Sequence, residues 1–149
     1  MSAAGLFRAL ACALLAVAAI APRTAVAAEN TISCTYVIVS LPATLDVDGG
    51  TWCLTQDLAT NIATGAAITV AADNVTLDCN DFEVDGTGGG AGSSAEGIRA
   101  LARRNLIVRN CTFRNFFYGA YVDDFDAAGS GGHLVEDNTF TNNYYEGVH

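Results

Sequence analysis

Three stretches of the chain alternate apolar and polar residues with a period of two. The stretches are NVTLDCNDFEV (74–84), NLIVRNCTFRNFFYG (105–119) and GHLVEDNTFTNNYYEG (132–147). Val, Leu, Ile, Thr and Phe fill the alternating positions, which is typical of half-buried β-strands. Asn, Asp and Gly follow each run, and these residues favour turns. The pattern predicts strands of about four to six residues separated by tight turns.

The three stretches are copies of one repeat. Aligned on their aromatic residue, they bring Phe82, Phe113 and Phe140 into one column, with the second interval slightly shorter than the first. Arrays of helices also repeat at about this length, but helices need an apolar period of 3.6 rather than two. The pattern therefore predicts a coil of short strands, each turn about 4.8 Å from the one before. The three phenylalanines would form one internal column.

The same alignment places charges of alternating sign in one outward column. Asp78, Arg109 and Glu136 occupy it, and opposite charges on neighbouring strands stabilise a sheet slightly. Two further pairs repeat the arrangement at the interval that separates Phe82 from Phe113: Asp73 with Arg104, and Glu83 with Arg114. The charges therefore support the alignment that the apolar residues define.

A glycine followed by a small or apolar residue opens a further strand in each turn. These glycines are Gly97, Gly119 and Gly147, and the last two are further apart than the first two. The longer interval contains the loop 123–132, and the Gly-rich loop 85–94 lengthens the preceding turn. Insertions in solenoids collect in surface loops, so a coil with inserted loops explains the uneven spacing.

The N-terminus has the layout of a secretory signal peptide, with Arg8, an apolar run and small residues ending at Ala28. The run is too short to span a bilayer, so we expect no membrane span after residues 1–28 are removed. The remaining chain, 29–149, would be secreted or periplasmic. Without Arg8 and Arg23 it keeps five Arg against sixteen acidic residues, a net charge of −11. So acidic a chain predicts no nucleic-acid binding, which needs a cationic surface.

Cysteine usage is compatible with export. Four cysteines remain after the signal peptide: Cys34, Cys53, Cys79 and Cys111. An oxidising compartment permits disulfides, and an even number favours pairing. Three pairings are possible and the residues do not choose among them; a buried free thiol is the alternative for any one.

The repeat resembles a known family. GIRALARRNLIVRNCTFRNFFYGAYV (97–122) is similar to the right-handed parallel β-helix repeat family, the pectin-lyase-like superfamily. NVTLDCNDFEVDGTG (74–88) resembles its early turn, and LPATLDVDGGTWCLTQDL (41–58) resembles the segment that leads into the helix in exported bacterial members. The resemblance implies an all-β fold, a right-handed parallel β-helix.

The resemblance also implies how the chain is organised. Residues 29–64 would form an N-terminal cap and lead-in strand, and residues 65–149 the turns of the helix. A disulfide between Cys34 and Cys53 would clasp the cap. The chain stops as another turn opens, so we expect a helix that is truncated at its C-terminus. Its uncapped last turn would be available for self-association.

Members of the resembled family are commonly enzymes acting on polysaccharides: lyases, glycoside hydrolases and epimerases of acidic sugars. Lyases use Ca²⁺ held by carboxylates, and hydrolases use pairs of Asp as acid and base. The candidate here is the acidic loop after the strand GAYV. Asp123 and Asp124 are the catalytic candidates, and together with Asp126 they are the candidate Ca²⁺ ligands, since Ca²⁺ takes six to eight oxygens in irregular geometry.

Other interpretations of these residues remain open. The acidic loop is also what a solvated loop in an acidic protein looks like, and the family's hydrolase and epimerase motifs are incomplete here. His133 aligns with apolar positions and is predicted to be structural. The aromatic residues Phe116, Phe117, Tyr118 and Tyr121 could stack on sugar rings or pack the strands.

Two functions therefore remain open. One is a carbohydrate-binding or carbohydrate-active module without a complete catalytic set in this chain, so that enzymatic activity is undecided. The other is a structural or adhesion solenoid without chemistry. A strand face with convergent carboxylates and a base would distinguish the first function from the second.

Overall fold

The computed structural model describes residues 33–90, 92–124 and 129–149. These residues form short β-strands and a single 3₁₀ turn at Thr87–Gly89. The strands are β1 (Tyr36–Ile38), β2 (Ala43–Leu45), β3 (Thr51–Leu54), β4 (Leu58–Ala59), β5 (Ala66–Val70), β6 (Thr76–Asp78), β7 (Glu83–Asp85), β8 (Glu96–Leu101), β9 (Ile107–Arg109), β10 (Thr112–Arg114), β11 (Tyr118–Asp123), β12 (Leu134–Glu136), β13 (Thr139–Thr141) and β14 (Glu146–Val148).

The strands stack into three parallel sheets. The first sheet has the order β1-β3-β6-β9-β12, the second β4-β7-β10-β13 and the third β2-β5-β8-β11-β14. Successive turns of chain therefore contribute one strand to each sheet, which makes a β-solenoid of about four turns. The predicted all-β coil of parallel strands is confirmed. The sheets include β1–β4, so the stack already contains residues from the segment predicted as cap and lead-in strand.

No helix among the described residues is long and apolar enough to cross a membrane. The predicted signal peptide, residues 1–28, lies outside the described part of the chain.

The register confirms most of the predicted columns. Leu77 lies opposite Val108, and Val108 lies opposite Val135 in the next turn. The charged column also forms, since Arg109 is opposite both Asp78 and Glu136.

The prediction for Phe82 is wrong. Phe113 and Phe140 are register partners with ring centroids 5.8 Å apart, but Val84 rather than Phe82 lies opposite Phe113. The turn between β6 and β7 has four residues, 79–82, whereas the turn between β9 and β10 has two. One constant spacing therefore cannot align both strands, and Phe82 packs at the edge of the core instead.

The core is a filled column between the three sheets. Its largest fully buried side chains include Leu77, Val84, Phe113 and Phe116. The prediction that Gly97, Gly119 and Gly147 mark equivalent strands is confirmed by the register of the third sheet.

These glycines are required by the phenylalanines. A Cβ at Gly119 would lie 2.5 Å from the ring of Phe140 and 2.6 Å from the carbonyl oxygen of Gly147. A Cβ at Gly97 would lie 2.7 Å from the ring of Phe113. Each ring thus packs directly on the backbone of the third sheet, and an ordinary side chain does not fit there.

Asparagines form the corner between the third and first sheets. Asn74 and Asn105 adopt left-handed conformations, with φ of 57° and 52°, which Asn tolerates better than most residues. The side-chain amide of Asn105 donates to Oδ1 of Asn74 at 2.8 Å, and that of Asn74 donates to Oδ1 of Asp48 at 2.9 Å. The polar residues therefore connect consecutive turns as well as ending strands.

Two disulfides cross-link the solenoid. Cys34 is bonded to Cys53, as the resemblance implied, and Cys79 is bonded to Cys111. The second bond spans 32 residues. It connects two adjacent turns, each at the corner where the chain passes from the first sheet to the second.

Ion pairs between charged side chains add contacts between the turns outside the apolar core. Asp78 is almost fully buried and accepts from Nε of Arg109 at 3.0 Å. Nη2 of Arg104 lies 3.0 Å from Asp73. Arg114 contacts Glu83 at 2.9 Å and Asp85 at 3.0 Å, so both predicted ion pairs form, although the residue directly opposite Arg114 is Asp85 rather than Glu83.

Candidate functional site

A cluster of six rings lies on the outer side of the third sheet and the turn before it. This ring cluster consists of Phe117, Tyr118, Tyr121, Tyr144, Tyr145 and His149. Tyr144 and Tyr145 are 82% and 62% exposed. Large aromatic side chains are unusual in so exposed a position, and contiguous groups of them mark interaction surfaces.

The rings pack on one another across consecutive turns. Phe117 stacks on Tyr145 with centroids 5.3 Å apart and planes within 4°. Tyr121 stacks on His149 at 4.9 Å, with planes within 3°. Tyr118 lies between these pairs, 5.5 Å from Tyr145 and 5.1 Å from Tyr121. The mutual packing holds the rings as one continuous surface.

The burial pattern along β11 explains why two of these rings, Tyr118 and Tyr121, point outward, because the two residues between them are both buried. Ala120 is fully buried in the core, opposite Ile98 and Val148. Tyr118 and Tyr121 lie on either side of the inward segment and are directed to the surface.

The sequence left the direction of the aromatic run open, and the structure divides it. Phe116 is buried in the core, whereas Phe117, Tyr118 and Tyr121 belong to the ring cluster.

Sequence reasoning missed Tyr144, Tyr145 and His149. A signal for two of them was present, because Tyr144 and Tyr145 follow Phe117 and Tyr118 at the same interval at which Phe140 follows Phe113. Extending the repeat beyond its phenylalanine would have paired the two aromatic runs. His149 had a signal of its own, because it follows Gly147 at the spacing at which Tyr121 follows Gly119, and these two rings stack in the structure.

Carboxylates flank the rings. Glu96 is buried and accepts a two-pronged contact from Arg99, with Nη2 to Oε1 at 2.9 Å. The hydroxyl of Tyr121 donates to Oδ2 of Asp123 at 3.1 Å. Glu146 lies 2.9 Å from Nδ1 of His149.

These carboxylates create a negative field at the tyrosine hydroxyls. Desolvation raises the pKa of Tyr118, and the neighbouring Tyr145, Glu146 and Glu96 raise it further. The hydrogen bond to Asp123 raises the pKa of Tyr121. Both hydroxyls therefore remain protonated at neutral pH and are available as hydrogen-bond donors and acceptors.

A cleft of about 360 Å³ adjoins the ring cluster. It is lined by Gly90, Gly92, Ser93, Ser94, Asn115, Phe116, Phe117, Asn142 and Tyr144. Phe117 and Tyr144 belong to both features, so the cleft and the rings form one surface. The hydroxyls and amides in the lining add hydrogen-bonding groups beside apolar rings, a combination typical of small-ligand sites.

The predicted acidic loop is only partly described. Asp123 ends β11 and Asp124 follows it, whereas Asp126 lies outside the described residues. Asp124 is bonded to His133, 3.0 Å from Oδ1 to Nε2, while Asp123 accepts from Tyr121. Among the residues that the structure describes, no three His, Cys, Asp or Glu side chains converge as metal ligands. The catalytic and Ca²⁺ assignments remain predictions.

His133 connects Asp124 to the backbone just before β9 through two hydrogen bonds. The backbone N–H of Leu106 donates to its Nδ1 at 3.2 Å, so in the neutral ring Nε2 carries the proton and donates to Asp124. The side chain is 12% exposed. Because both ring nitrogens are engaged, the geometry supports the structural role that was predicted for His133.

No protein-family model, curated protein or solved structure matches this chain. The fold is therefore established by the strand stack itself, and the function must be inferred from the surface.

Proposed function

We propose that this protein is a carbohydrate-binding β-solenoid whose binding surface is the ring cluster and the adjoining cleft. The ring cluster carries the proposal. Sugar rings present flat faces of C–H groups edged by hydroxyls, so they are recognised by exposed aromatic faces flanked by hydrogen-bonding groups. Tyr144 and Tyr145 supply exposed faces, and the amides of Asn115 and Asn142 and the hydroxyls of Ser93 and Ser94 supply the polar groups.

The repeating geometry favours an extended ligand over a single sugar. Rings from two consecutive turns are packed side by side, through Phe117 with Tyr145 and Tyr121 with His149. Consecutive sugar units of an oligosaccharide could therefore contact consecutive rings. This arrangement also agrees with the polysaccharide partner implied by the family resemblance, and we propose membership of the pectin-lyase-like superfamily on the same grounds.

The proposal is limited to binding. Glu96 accepts hydrogen bonds from Arg99, Asp123 accepts one from Tyr121, and Asp124 is hydrogen-bonded to His133. These contacts give the carboxylates structural partners, and we assign none of them a reaction.

We further propose that the protein acts in an oxidising compartment outside the cytoplasm, after export. The Cys34–Cys53 and Cys79–Cys111 disulfides support this location, because such bonds are rare in the reducing cytosol.

Binding is tested by calorimetry with hexasaccharides of neutral, cationic and anionic sugars. Tyr144→Ala and Tyr145→Ala each remove an exposed ring, and we expect each to weaken binding about tenfold or more, as for an anchor residue. Val39→Ala is the matched control, because it truncates a 66% exposed apolar side chain outside the ring cluster.

The result also separates the two functions. Failure of the folded wild type to bind any of the ligands would overturn the proposal and favour the structural or adhesion solenoid. Equal loss in Val39→Ala would show that the ring cluster is not the binding surface.

A further inference from the structure

The outer face of the third sheet beside the ring cluster is acidic. The residues Glu96–Leu101, Tyr118–Asp123 and Glu146–His149 carry three carboxylates, Glu96, Asp123 and Glu146, against one guanidinium, Arg99. Arg99 is bound to Glu96 through both Nε and Nη2. Its charge is therefore already balanced by Glu96, and the face as a whole keeps a negative charge.

This distribution disfavours acidic sugars as ligands. A uronate would approach the exposed carboxylate of Glu146 and would find the one arginine of this face occupied. Its binding would then cost repulsion without a compensating ion pair. Three of the four arginines elsewhere on the solenoid are paired as well: Arg104 with Asp73, Arg109 with Asp78, and Arg114 with Glu83 and Asp85.

The same distribution favours a cation. An ammonium group is attracted to the faces of tyrosine and phenylalanine rings within about 6 Å. The negative charge of Glu146, which adds to desolvation in raising the pKa of Tyr118, would attract such a group to the same rings. The aromatic faces and the negative charge therefore favour the same ligand, a sugar that carries an ammonium group, at the ring cluster.

Resting on the proposed function, we propose that the ring cluster selects cationic amino sugars, polymers of unacetylated glucosamine, over neutral and acidic sugars. The hexose rings would stack on the exposed tyrosines, and an ammonium group would lie between the rings and Glu146. Glu146 is suited to this role because its side chain is 42% exposed, so it can contact a ligand.

The test compares three hexasaccharides of similar shape: glucosamine (cationic), N-acetylglucosamine (neutral) and galacturonate (anionic). Calorimetry is done with the full protein in low-salt buffer near neutral pH, where the carboxylates are ionised and a fraction of the ligand amines is protonated. We expect the cationic hexamer to bind about three- to fivefold or more tightly than the neutral one for each carboxylate that it meets. The preference should fall as salt is added.

Two charge-matched variants locate the effect. Glu146→Gln removes one negative charge beside the rings but keeps an acceptor for His149, and it should reduce the preference about three- to fivefold. Glu136→Gln removes one negative charge from β12 in the first sheet, and it should leave the preference unchanged. Thermal unfolding of each variant checks that the fold is intact.

Each outcome decides between the claims. Equal binding of the cationic and neutral hexamers, or tighter binding of galacturonate, would overturn the amino-sugar inference while leaving carbohydrate binding in place. A cationic preference that falls equally in Glu136→Gln and Glu146→Gln would also overturn it, because net charge alone would then explain the result. Binding of none of the three would overturn the proposed function itself.

Discussion

The contact between Gly119 and Phe140 provides the sharpest test of how the turns stack. Gly119→Ala places a methyl group 2.5 Å from the Phe140 ring and 2.6 Å from the Gly147 carbonyl oxygen, where ordinary contact begins at 3.4 Å. The overlap is thus about 0.9 Å. One of the two obstacles is backbone, so it cannot rotate away.

The size of the effect follows from these contacts. Overpacking of a tight core costs about 1–3 kcal/mol, and we expect the upper half of that range because backbone is involved. Alanine offsets about 0.4–1 kcal/mol by restricting the unfolded chain. The net loss is about 2 kcal/mol, which lowers Tm by roughly 8 °C for a domain of this size. Thermal and urea unfolding, followed by circular dichroism, measure it.

A double-mutant cycle isolates the ring. Phe140→Val introduces valine, which is the residue at the equivalent position two turns earlier, Val84. In that background Gly119→Ala should cost at most half as much, because only the contacts with Gly147 and Asn143 remain. An equal cost of Gly119→Ala in the wild-type and Phe140→Val backgrounds would refute the packing of this ring on the backbone.

Two further predictions concern stability. The double variant Cys79→Ala/Cys111→Ala removes the disulfide that spans 32 residues, and it should lower the free energy of unfolding by about 4 kcal/mol because the unfolded chain gains loop entropy. A decrease below about 1 kcal/mol in urea titrations would contradict that role. For Asp85, burial tends to raise the pKa, but hydrogen bonds from Thr87, Asn115 and Arg114 outweigh it and hold the pKa well below its usual value. Stability from Asp85 should therefore be present above about pH 4 and be lost as pH falls below it, and Asp85→Asn should flatten the acid side of a Tm-versus-pH curve; an unchanged curve would refute this.

The stacking of turns could be predicted because each column has a local signature. Val108, Phe113 and Gly119 recur as Val135, Phe140 and Gly147, and the structure pairs each of them. Identical side chains recur because each turn covers the one before with the same surface. The fold class follows from that recurrence alone.

Turn lengths set the limit of this reasoning. The assignment of Phe82 assumed that the corner between the first and second sheets has a constant length, but it has four residues before β7 and two before β10. Polar turn residues tolerate insertion without changing the strand pattern. The alternation therefore remains visible in the sequence while the register shifts.

The binding surface was harder to predict than the fold. The outward direction of Tyr118 and Tyr121 depends on Ala120 pointing into the core, and strict alternation does not determine that. The pairing of Arg99 with Glu96 depends on side-chain placement across β8. The sequence identified aromatic residues and carboxylates but not which of them share a face.

The central claim is that adjacent turns lie parallel and in register, and cysteine cross-linking tests it most directly. Thr112 of β10 and Thr139 of β13 are register partners, and neighbouring strands about 4.8 Å apart lie within the Cα separation that a disulfide spans. Thr112→Cys/Thr139→Cys should therefore form an additional disulfide, identified by peptide mass spectrometry. Thr112→Cys/Thr141→Cys is two residues out of register and should not form one. Cross-linking of the second pair in preference to the first would contradict the stacked register.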